Sequence, residues 1–522
     1  MKKRLRAFGE IKEDSFHFED IERYFRKKDH SDAFQVLSEK TCIDLDFQEL
    51  FMFVDRTNSR IGQQFLYNKF RTIPVQPNSN NENIISELIE NSDFRVPIQF
   101  QLSKLNNNNA FYISSLFQEE HLKAPKWFFV VRLLSFTSLL SLLLLPINPQ
   151  MVFVLLGVFL VNLGVHYWNK RNLYQYLNSL PQLLRLNEVA KKLYKNDLLK
   201  VINPNLSGSI SILNKVRNRM SFFSLEAKMQ GDMQSILWGL LELFKILFLL
   251  EPLFLFGVLN RLDAKRKEIE EVFVFVGEID SLVSIASLRK GLDRYCIPEI
   301  IHQQKTIVAE DVYHPLISDC VRNSIHVSDK SILLTGSNMS GKTSFIRTIA
   351  INVLSGLTLN TCFSERFRMP RMGIYSAIRI SDDLMNDKSY YFEEVMTIKE
   401  MIDKSVEGKP CLFLLDEIFK GTNTVERISA GKAVLSSLAK ADNLVFVSTH
   451  DIELADLLKD EYELYHFSEI VDQKTVDFDY KLKEGKLKDR NAIRILQIND
   501  YPEDIIREAI EISKELDKTK VV

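Results

Sequence analysis

Cysteine is scarce and scattered in this chain of 522 residues. Cys42, Cys296, Cys320, Cys362 and Cys411 form no C-x-x-C pair and adjoin no histidine cluster. A disulfide framework and a structural zinc site are therefore excluded as organising devices, and a reducing compartment fits. Glycine is also low, at 18, which excludes a collagen-like repeat. Charge of one sign is missing: 67 Lys and Arg stand against 69 Asp and Glu, a formal net charge of −2. Neither a wholly basic polyanion binder nor an acidic solvating tail is indicated. The first residues, MKKRLRAFGEIKED, contain no apolar run, so no signal peptide is expected and the N-terminus is expected in the cytoplasm.

What is present is apolar. Hydrophobic residues make up 46% of the chain, with 36 Phe, beside 26% charged residues. The mean hydropathy of −0.08 is high for so many charges. The excess sits mostly at 127–168, where runs near Leu133–Leu145 and Met151–Val165 flank the turn Pro146-Ile147-Asn148-Pro149. With their aromatic ends the runs approach the ~20 residues that cross ~30 Å of hydrocarbon. Lys123, Lys126 and Arg132 precede them, Lys170 and Arg171 follow, and the turn carries no charge. The positive-inside rule then puts both ends in the cytoplasm and the turn outside, with Trp127, Tyr167 and Trp168 at the interface. A third apolar run, Ile236–Leu259, carries Glu242, Lys245, Glu251 and Pro252. Charges are costly at membrane depth, and an extra span would move all that follows across the membrane. A core or membrane-edge helix is expected there.

A nucleotide site is written in three strand-like runs. Ser331–Leu334 leads into Thr335-Gly336-Ser337-Asn338-Met339-Ser340-Gly341-Lys342-Thr343-Ser344 and then a helical FIRTIAINVL. This is G-x-x-x-x-G-K-[ST] in its strand–loop–helix setting. Residues Gly336 to Ser344 are the expected phosphate cradle, with backbone N–H groups and a helix N-terminus facing the anion. Lys342 should reach the β- and γ-phosphates and the Thr343 hydroxyl should ligate Mg²⁺. The run Pro410–Leu415 ends in Asp416-Glu417, as a buried parallel strand delivering two carboxylates at its C-terminal end. Asp416 can hold Mg²⁺, and Glu417 can orient and polarise the attacking water. Leu444–Thr449 ends at His450, which can contact the γ-phosphate.

These segments resemble the MutS family. TGSNMSGKTS resembles its phosphate loop, with Ser337 where the family has proline. LLDEIFKGTNTVERISAGKAVL resembles its DE-x-x-[RK]-GT-[ST]-T segment, and STHD at 448–451 its switch histidine segment. RISDDLMNDKSYYFEEV at 379–395 resembles R-I-G-x-x-D-x-L-x-x-G-x-S-T-F-x-x-E, with Tyr390 and Tyr391 in place of Thr and Phe. VYHPLI at 312–317 resembles the entry to the family's ATPase domain, and YKLKEGKLKDRNAIRIL its closing segment. DLDFQELFMFVDRTNSRIGQQFLYNKFRTIP at 44–74 resembles, more loosely, the start of the core domain. The amphipathic stretch 178–193 is lever-like.

The resemblance implies an α/β P-loop NTPase domain of ABC or MutS type, C-terminal to an all-α core and lever domain; it does not cover 123–171, where the apolar runs themselves lead us to expect a transmembrane helical hairpin interrupting that core. The divisions read from it are a charged leader 1–43, core 44–122, hairpin 123–171, core and lever 172–295, and ATPase 296–522. It implies an ATP hydrolase using ATP and Mg²⁺ as a homodimer, with no other small-molecule substrate, and the apolar hairpin adds a membrane anchor to that expectation. Glu417, His450 and Lys342 would be catalytic and Thr343 and Asp416 metal-binding. Ser389 would reach the partner's γ-phosphate, and Gly421, Thr422, Asn423 and Thr424 would run to the interface. A multi-pass protein of the bacterial inner membrane, its N-terminus and ATPase domain cytoplasmic, is expected. DNA is a candidate ligand through Lys191, Lys192, Lys195, Lys200, Lys215, Arg217 and Arg219, which equally suit anionic lipid. No room for a mismatch-reading domain is seen before residue 44; Phe8-Gly9-Glu10 spells that domain's F-x-E without surroundings for it. An ABC transporter ATPase and a nucleotide-gated membrane scaffold are the alternatives, the first lacking an L-S-G-G-Q segment.

Overall fold

A computed structural model describes residues 8–76, 81–121, 123–219, 235–302, 305–337, 339–379, 390–471, 476–487, 492–499 and 501–519. The chain forms two compact units. One comprises 1–30, 54–69 and 79–291; the other comprises 31–53, 70–78 and 292–522. The fold is mixed α/β, with the helices concentrated in the first unit.

The first unit is helical. Its main elements are α1 (Phe128–Leu144), α2 (Met151–Leu193), α3 (Ser235–Phe248), α4 (Leu250–Asp263) and α5 (Arg266–Gly291). Helix α5 is the core axis. Ile269, Val272, Phe273, Val276, Ile279, Leu282, Val283 and Ala286 are buried all around it, as in a helix enclosed by others. Tyr24 and Phe117 pack their rings on Phe273 at 4.9 and 5.2 Å.

A buried carboxylate fixes the segment 54–62 to α5. Asp280 Oδ1 accepts from the Asn58 backbone N–H at 2.8 Å, and Oδ2 from the Ser59 N–H at 2.7 Å. The Ser59 hydroxyl donates to Oδ2 as well. A Cβ on Gly62 would stand 2.1 Å from Asp280 Oδ2, so only glycine fits. Asp55 meanwhile accepts from Lys12 Nζ at 2.9 Å. The D-x-T-x-S-x-x-G run is thus a docking sequence for α5. Phe8 and Gly9 are packing residues too: Arg95 lies over the Phe8 ring, and the Gly9 N–H donates to Ser287 Oγ at 3.0 Å.

Helices α1 and α2 lie side by side and antiparallel. Trp127 and Trp168 meet at one end with ring centroids 5.1 Å apart, and Asn162 Nδ2 donates to Ser138 Oγ at 3.1 Å farther along. Polar side chains of α1 return to their own backbone: Thr137 Oγ1 donates to Leu133 O and Ser141 Oγ to Thr137 O. By length and composition Met151–Trp168 can cross a membrane, and Phe128–Leu144 is a shorter apolar helix of 17 residues. Helix α2 does not stop at residue 171. It runs 43 residues to Leu193, about 65 Å, so the lever-like stretch is its second half. Leu180, Leu183, Leu186, Val189 and Leu193 are buried along that half.

The third apolar run is not one helix, as expected from its composition. It breaks at Leu249, a left-handed residue (φ 49°, ψ 40°), between α3 and α4. Pro252 explains why α4 starts afresh there: without an N–H it suits a first turn and cannot continue an earlier helix.

The second unit holds the sheets. Its strands beyond residue 291 are β1 (Glu299–Ile301), β2 (Thr306–Val312), β3 (Asn323–Ser328), β4 (Ser331–Thr335), β5 (Arg366–Pro370), β6 (Gly373–Ala377), β7 (Cys411–Asp416), β8 (Leu444–Ser448), β9 (Tyr462–His466), β10 (Glu469–Val471), β11 (Val476–Phe478) and β12 (Lys483–Glu484). Six form a sheet in the order β12-β9-β4-β8-β7-β6, parallel except for β12, and four a second sheet in the order β1-β5-β2-β3. Strands β4, β7 and β8 are buried on both faces, as their unbroken apolar sequences require. The unit's helices include α6 (Lys342–Leu359), α7 (Tyr390–Ser405), α8 (Thr424–Leu438) and α9 (Ile452–Leu458).

Residues 31–53 belong with the second unit, which differs from the division read in the sequence. Asp44 is fully buried and accepts from Ser376 Oγ at 2.6 Å, Ile378 N at 3.0 Å and Arg379 N at 2.8 Å. Gln35 exchanges two hydrogen bonds with the Ile374 backbone. These bonds cap the end of β6, over a sequence distance that no local pattern encodes.

Candidate functional site

The site lies at the C-terminal ends of three adjacent parallel strands, β4, β8 and β7. Register puts Ser448 opposite both Leu334 and Asp416. The loop after β4 needs left-handed backbone at Gly336 (φ 149°), Met339 (φ 68°) and Gly341 (φ 105°). A Cβ on Gly336 would stand 2.6 Å from Phe467 O, so this turn admits glycine alone. Helix α6 starts at Lys342 immediately after, with its free N–H groups and dipole directed at the loop.

Lys342 is buried, and its ammonium donates to Gly336 O at 2.8 Å and Ser337 O at 2.7 Å. Burial lowers its pKa, while Glu417, Asp416 and Glu469 oppose that. Thr343 Oγ1 donates to Asp416 Oδ2 at 2.8 Å, and Ser448 Oγ donates to Asp416 Oδ1. Thr343 and Asp416 therefore converge as two hard oxygen groups at the mouth of the loop. Mg²⁺ takes one or two protein oxygens and keeps the rest of its shell for water and phosphate, so this pair fits it.

Glu417 adopts a left-handed conformation (φ 52°) and its N–H donates to Ser448 O at 2.9 Å. Its carboxylate is gripped from both sides: His450 Nε2 is 2.7 Å from Oε1 and Lys420 Nζ 2.8 Å from Oε2. The hydrogen bond from His450, with Lys420 adding to it, brings the Glu417 carboxyl down to about 2. Asp451, next to His450, holds Arg427 of α8 through two bonds of 2.7 and 2.8 Å.

Glu417, Gly341–Ser344, Val312, Ile317, Cys320, Phe467 and Tyr480 line one cavity of about 570 Å³. That volume is in the range of nucleotide-sized ligand sites. Val312, Ile317, Phe467 and Tyr480 add apolar and aromatic surface to a lining that the loop residues, Asp319 and Asn323 make partly polar.

The structure thus brings together Gly336, Ser337, Met339, Ser340, Gly341, Lys342, Thr343, Ser344, Asp416, Glu417 and His450. Asn338 and Ser389 lie outside the described residues. Gly421, Thr422, Asn423 and Thr424 lie on the surface beyond Glu417, where Asn423 caps α8 by accepting from Glu426 N at 3.0 Å.

Three residues escaped the sequence reading. Lys420 is the second cation on Glu417. Glu469 accepts from Ser337 Oγ at 2.7 Å, so the hydroxyl that replaces the family's proline ties the loop to β10. Buried Glu394 accepts from the Phe419 N–H, and burial raises its pKa. Lys420, three residues past Glu417 in a turn, had a local signal, and Glu394 closes the S-T-F-x-x-E pattern that begins at Ser389; Glu469 had none.

Residues 332–517 match the family described as MutS domain V. Among curated proteins, the DNA mismatch repair protein MutS of Aquifex pyrophilus is 27% identical over 267 residues, 49% of this chain and 31% of that protein. The DNA mismatch repair protein MSH3 of Saccharomyces cerevisiae (strain YJM789) is 26% identical over 279 residues, 50% of this chain and 27% of that protein. MutS of Petrotoga mobilis is 29% identical over 273 residues, 50% and 33% respectively. The chain spans about a third of the length of the curated relatives it matches. With the loop, the two carboxylates and the histidine in place at the strand ends, residues 332–517 resemble a MutS domain V in geometry as well as in sequence.

Proposed function

We propose that this chain is an ATP hydrolase that acts as a membrane-anchored, dimeric MutS-type switch. One observation carries the enzymatic part: Thr343, Asp416, Glu417 and His450 converge beside the glycine-framed loop within a nucleotide-sized cavity. Lys342 would exchange its two loop carbonyls for phosphate oxygens, gaining a charge-assisted contact. Thr343 and Asp416 would hold Mg²⁺, which when bound neutralises phosphate charge. Glu417, held as a carboxylate near pKa 2, is a weak proton acceptor at neutral pH. Its work is to orient the attacking water in line with the γ-phosphate, with His450 fixing its direction. Positioning and electrostatics carry most phosphoryl transfers. Ser389 of a second copy would complete each site, and Gly421–Thr424 would form part of that interface, so hydrolysis would reset a two-subunit state.

The hairpin supports the membrane part. Phe129, Leu133, Phe136, Leu143, Phe153, Leu156, Leu160 and Leu163 face outward, while Ser138, Ser141 and Asn162 face inward. This inside-out distribution over a patch far larger than soluble surfaces carry suits lipid hydrocarbon. With both ends on one side, the N-terminus and the nucleotide-binding unit would be cytoplasmic, as at a bacterial inner membrane.

DNA is the ligand that the relatives' names favour for a second reading. Lys191, Lys192 and Lys195 are exposed near the end of α2. A DNA role predicts binding that weakens steeply with salt. The deciding experiment is ATP turnover by the purified full chain, with Lys342→Ala inactive and Glu417→Gln binding ATP without hydrolysing it. Turnover that survives Lys342→Ala would refute the site. A scaffold role would leave cellular function intact in Glu417→Gln.

A further inference from the structure

The broken third apolar run carries information about topology that its composition hides. Its contacts form a depth scale against the α1–α2 hairpin. Glu242, in α3, has Oε1 3.8 Å from His166 Nε2. Five residues later, Leu247 O accepts from Asn162 Nδ2 at 2.8 Å, one turn farther from the Trp127–Trp168 end, at the level of Ser138. The chain then reverses at left-handed Leu249. Glu251 Oε2 is back at His166, 3.6 Å from Nδ1. Pro252 lies with Trp127, Phe128, Val165 and Trp168 around one narrow apolar crevice, and Phe256 packs on Phe128 at 5.1 Å. Finally Leu259 O meets His121 Nδ1 at 3.2 Å, before α1 begins. The sequence goes in as far as Ser138 and comes out again. It stops six residues, about 9 Å, short of the end of α1.

The charges within this run bind its two arms together. Lys245 is 2% exposed, and its Nζ lies 3.2 Å from Glu242 Oε2 on its own arm and 3.2 Å from Glu251 Oε1 on the other. Leu243, Phe244 and Phe254 face outward. Two half-helices, neither long enough to span hydrocarbon, thus carry an apolar exterior and a charge-paired interior. Non-helical backbone at membrane depth is tolerated when it is enclosed by protein, and here Asn162 satisfies the carbonyl beside the break.

We infer that residues 235–263 form a re-entrant pair of half-helices, dipping into the bilayer beside the hairpin and returning to the same face, with Lys245 as the ionic tie between its arms. The inference rests on the membrane reading of the hairpin. It removes the parity problem of a third span, since both ends of the run stay on one side. It also leads the membrane part directly into α5, with only two residues between the end of α4 and its start.

The test uses full-length protein in sealed vesicles of known orientation. Single cysteines at Ile147, Ser235 and Ala264 are exposed to a membrane-impermeant maleimide and read by peptide mass spectrometry. Labelling of 235 and 264 from one face and 147 from the other is expected. Labelling of 235 and 264 from opposite faces would overturn the re-entrant pair while leaving the hairpin intact. Labelling of all three from one face would overturn the membrane reading and the inference with it. The tie is tested separately. Lys245→Met, which takes the lysine from the buried Glu251 and the half-buried Glu242, should cut the membrane-integrated yield about fivefold or more, and adding Glu242→Gln and Glu251→Gln should restore it. An unchanged yield in Lys245→Met would overturn the role of the tie.

Discussion

His450 Nε2 lies 2.7 Å from Glu417 Oε1, across the ends of two neighbouring strands. Lys420 occupies the other carboxylate oxygen, so Glu417 is oriented by two donors and stays ionised down to about pH 2. Glu417→Gln should keep nucleotide affinity and lower single-turnover hydrolysis by about 10²–10⁴. His450→Ala, which frees the carboxylate to rotate, should cost less, about 10-fold to 10²-fold. Equal losses in binding and turnover would contradict the assignment.

Thr343 and Asp416 share a hydrogen bond that a metal ion would replace on one side. Thr343→Ala removes a ligand but leaves Lys342 and the loop glycines in place. Turnover should fall about 100-fold, with the Mg²⁺ titration midpoint shifted to higher concentration. Thr343→Ser should recover most of both, because the hydroxyl is the working group. Failure of serine to rescue would point to the methyl group's packing instead.

His314 reports on acid stability. Burial, with Arg347 beside it, lowers its pKa from 6.5 to about 4. A histidine depressed in the folded state binds fewer protons than when unfolded. Its contribution is therefore full above pH 6.5 and lost as pH falls from 6.5 towards 4. The shift corresponds to about 3 kcal/mol at most. Urea midpoints at pH 7 and pH 5 should converge in His314→Asn relative to the parent. Glu417 acts in a lower window, because its stabilisation is lost only as pH falls from 4.5 towards 2.

The convergence of the candidate residues at the strand ends was legible because those residues are local. Gly336 to Ser344 sit in one loop, and Asp416 and His450 each end an apolar run whose lack of alternation marks a buried parallel strand. Apolar length likewise marked α1 and α2. What could not be read were pairings at long sequence distance: Ser337 with Glu469, Asp44 with the end of β6, Asp280 with Ser59. Each depends on strand order or helix packing, which side-chain periodicity does not encode. The division of the chain missed residues 31–53 for the same reason. The break at Leu249 escaped because leucine gives no hint of left-handed backbone. Pro252 was the local clue, and it shows only where a helix can restart.

The docking of Gly62 on Asp280 predicts a sharp steric limit. Gly62→Ala places a methyl 2.1 Å from a carboxylate oxygen already fixed by Asn58 and Ser59. The loss should be about 3 kcal/mol, read as a lowered denaturation midpoint. Asp280→Asn keeps the shape but replaces one acceptor with a donor facing N–H or O–H groups, and should cost about 2 kcal/mol. The two changes meet at one contact, so the double variant should lose less than their sum. Strict additivity would mean that the contact is not what holds the segment.

Asp46 joins the phosphate-loop helix to the strand end that precedes residues 380–389. Its Oδ2 accepts from Arg347 Nη1 at 3.1 Å and Arg379 Nη2 at 3.0 Å, and Arg379 Nη1 reaches Oδ1. Arg347 lies one turn past Thr343 on α6, while Arg379 follows β6 by two residues. The bridge is made by a residue in left-handed backbone (φ 51°), a conformation that Asp and Asn tolerate better than other side chains. Asp46→Asn is thus a clean removal of charge. It should destabilise the nucleotide-binding unit by about 1–2 kcal/mol, and a cycle with Arg379→Gln should give a coupling of about 1 kcal/mol. If Asp46 also positions α6 against the end of β6, kcat should fall several-fold in Asp46→Asn while KM for ATP changes little, because Lys342 and the loop are untouched. A rise in KM with unchanged kcat would place its effect in the cradle itself, and unchanged kinetics with lowered stability would leave Asp46 a structural tie alone.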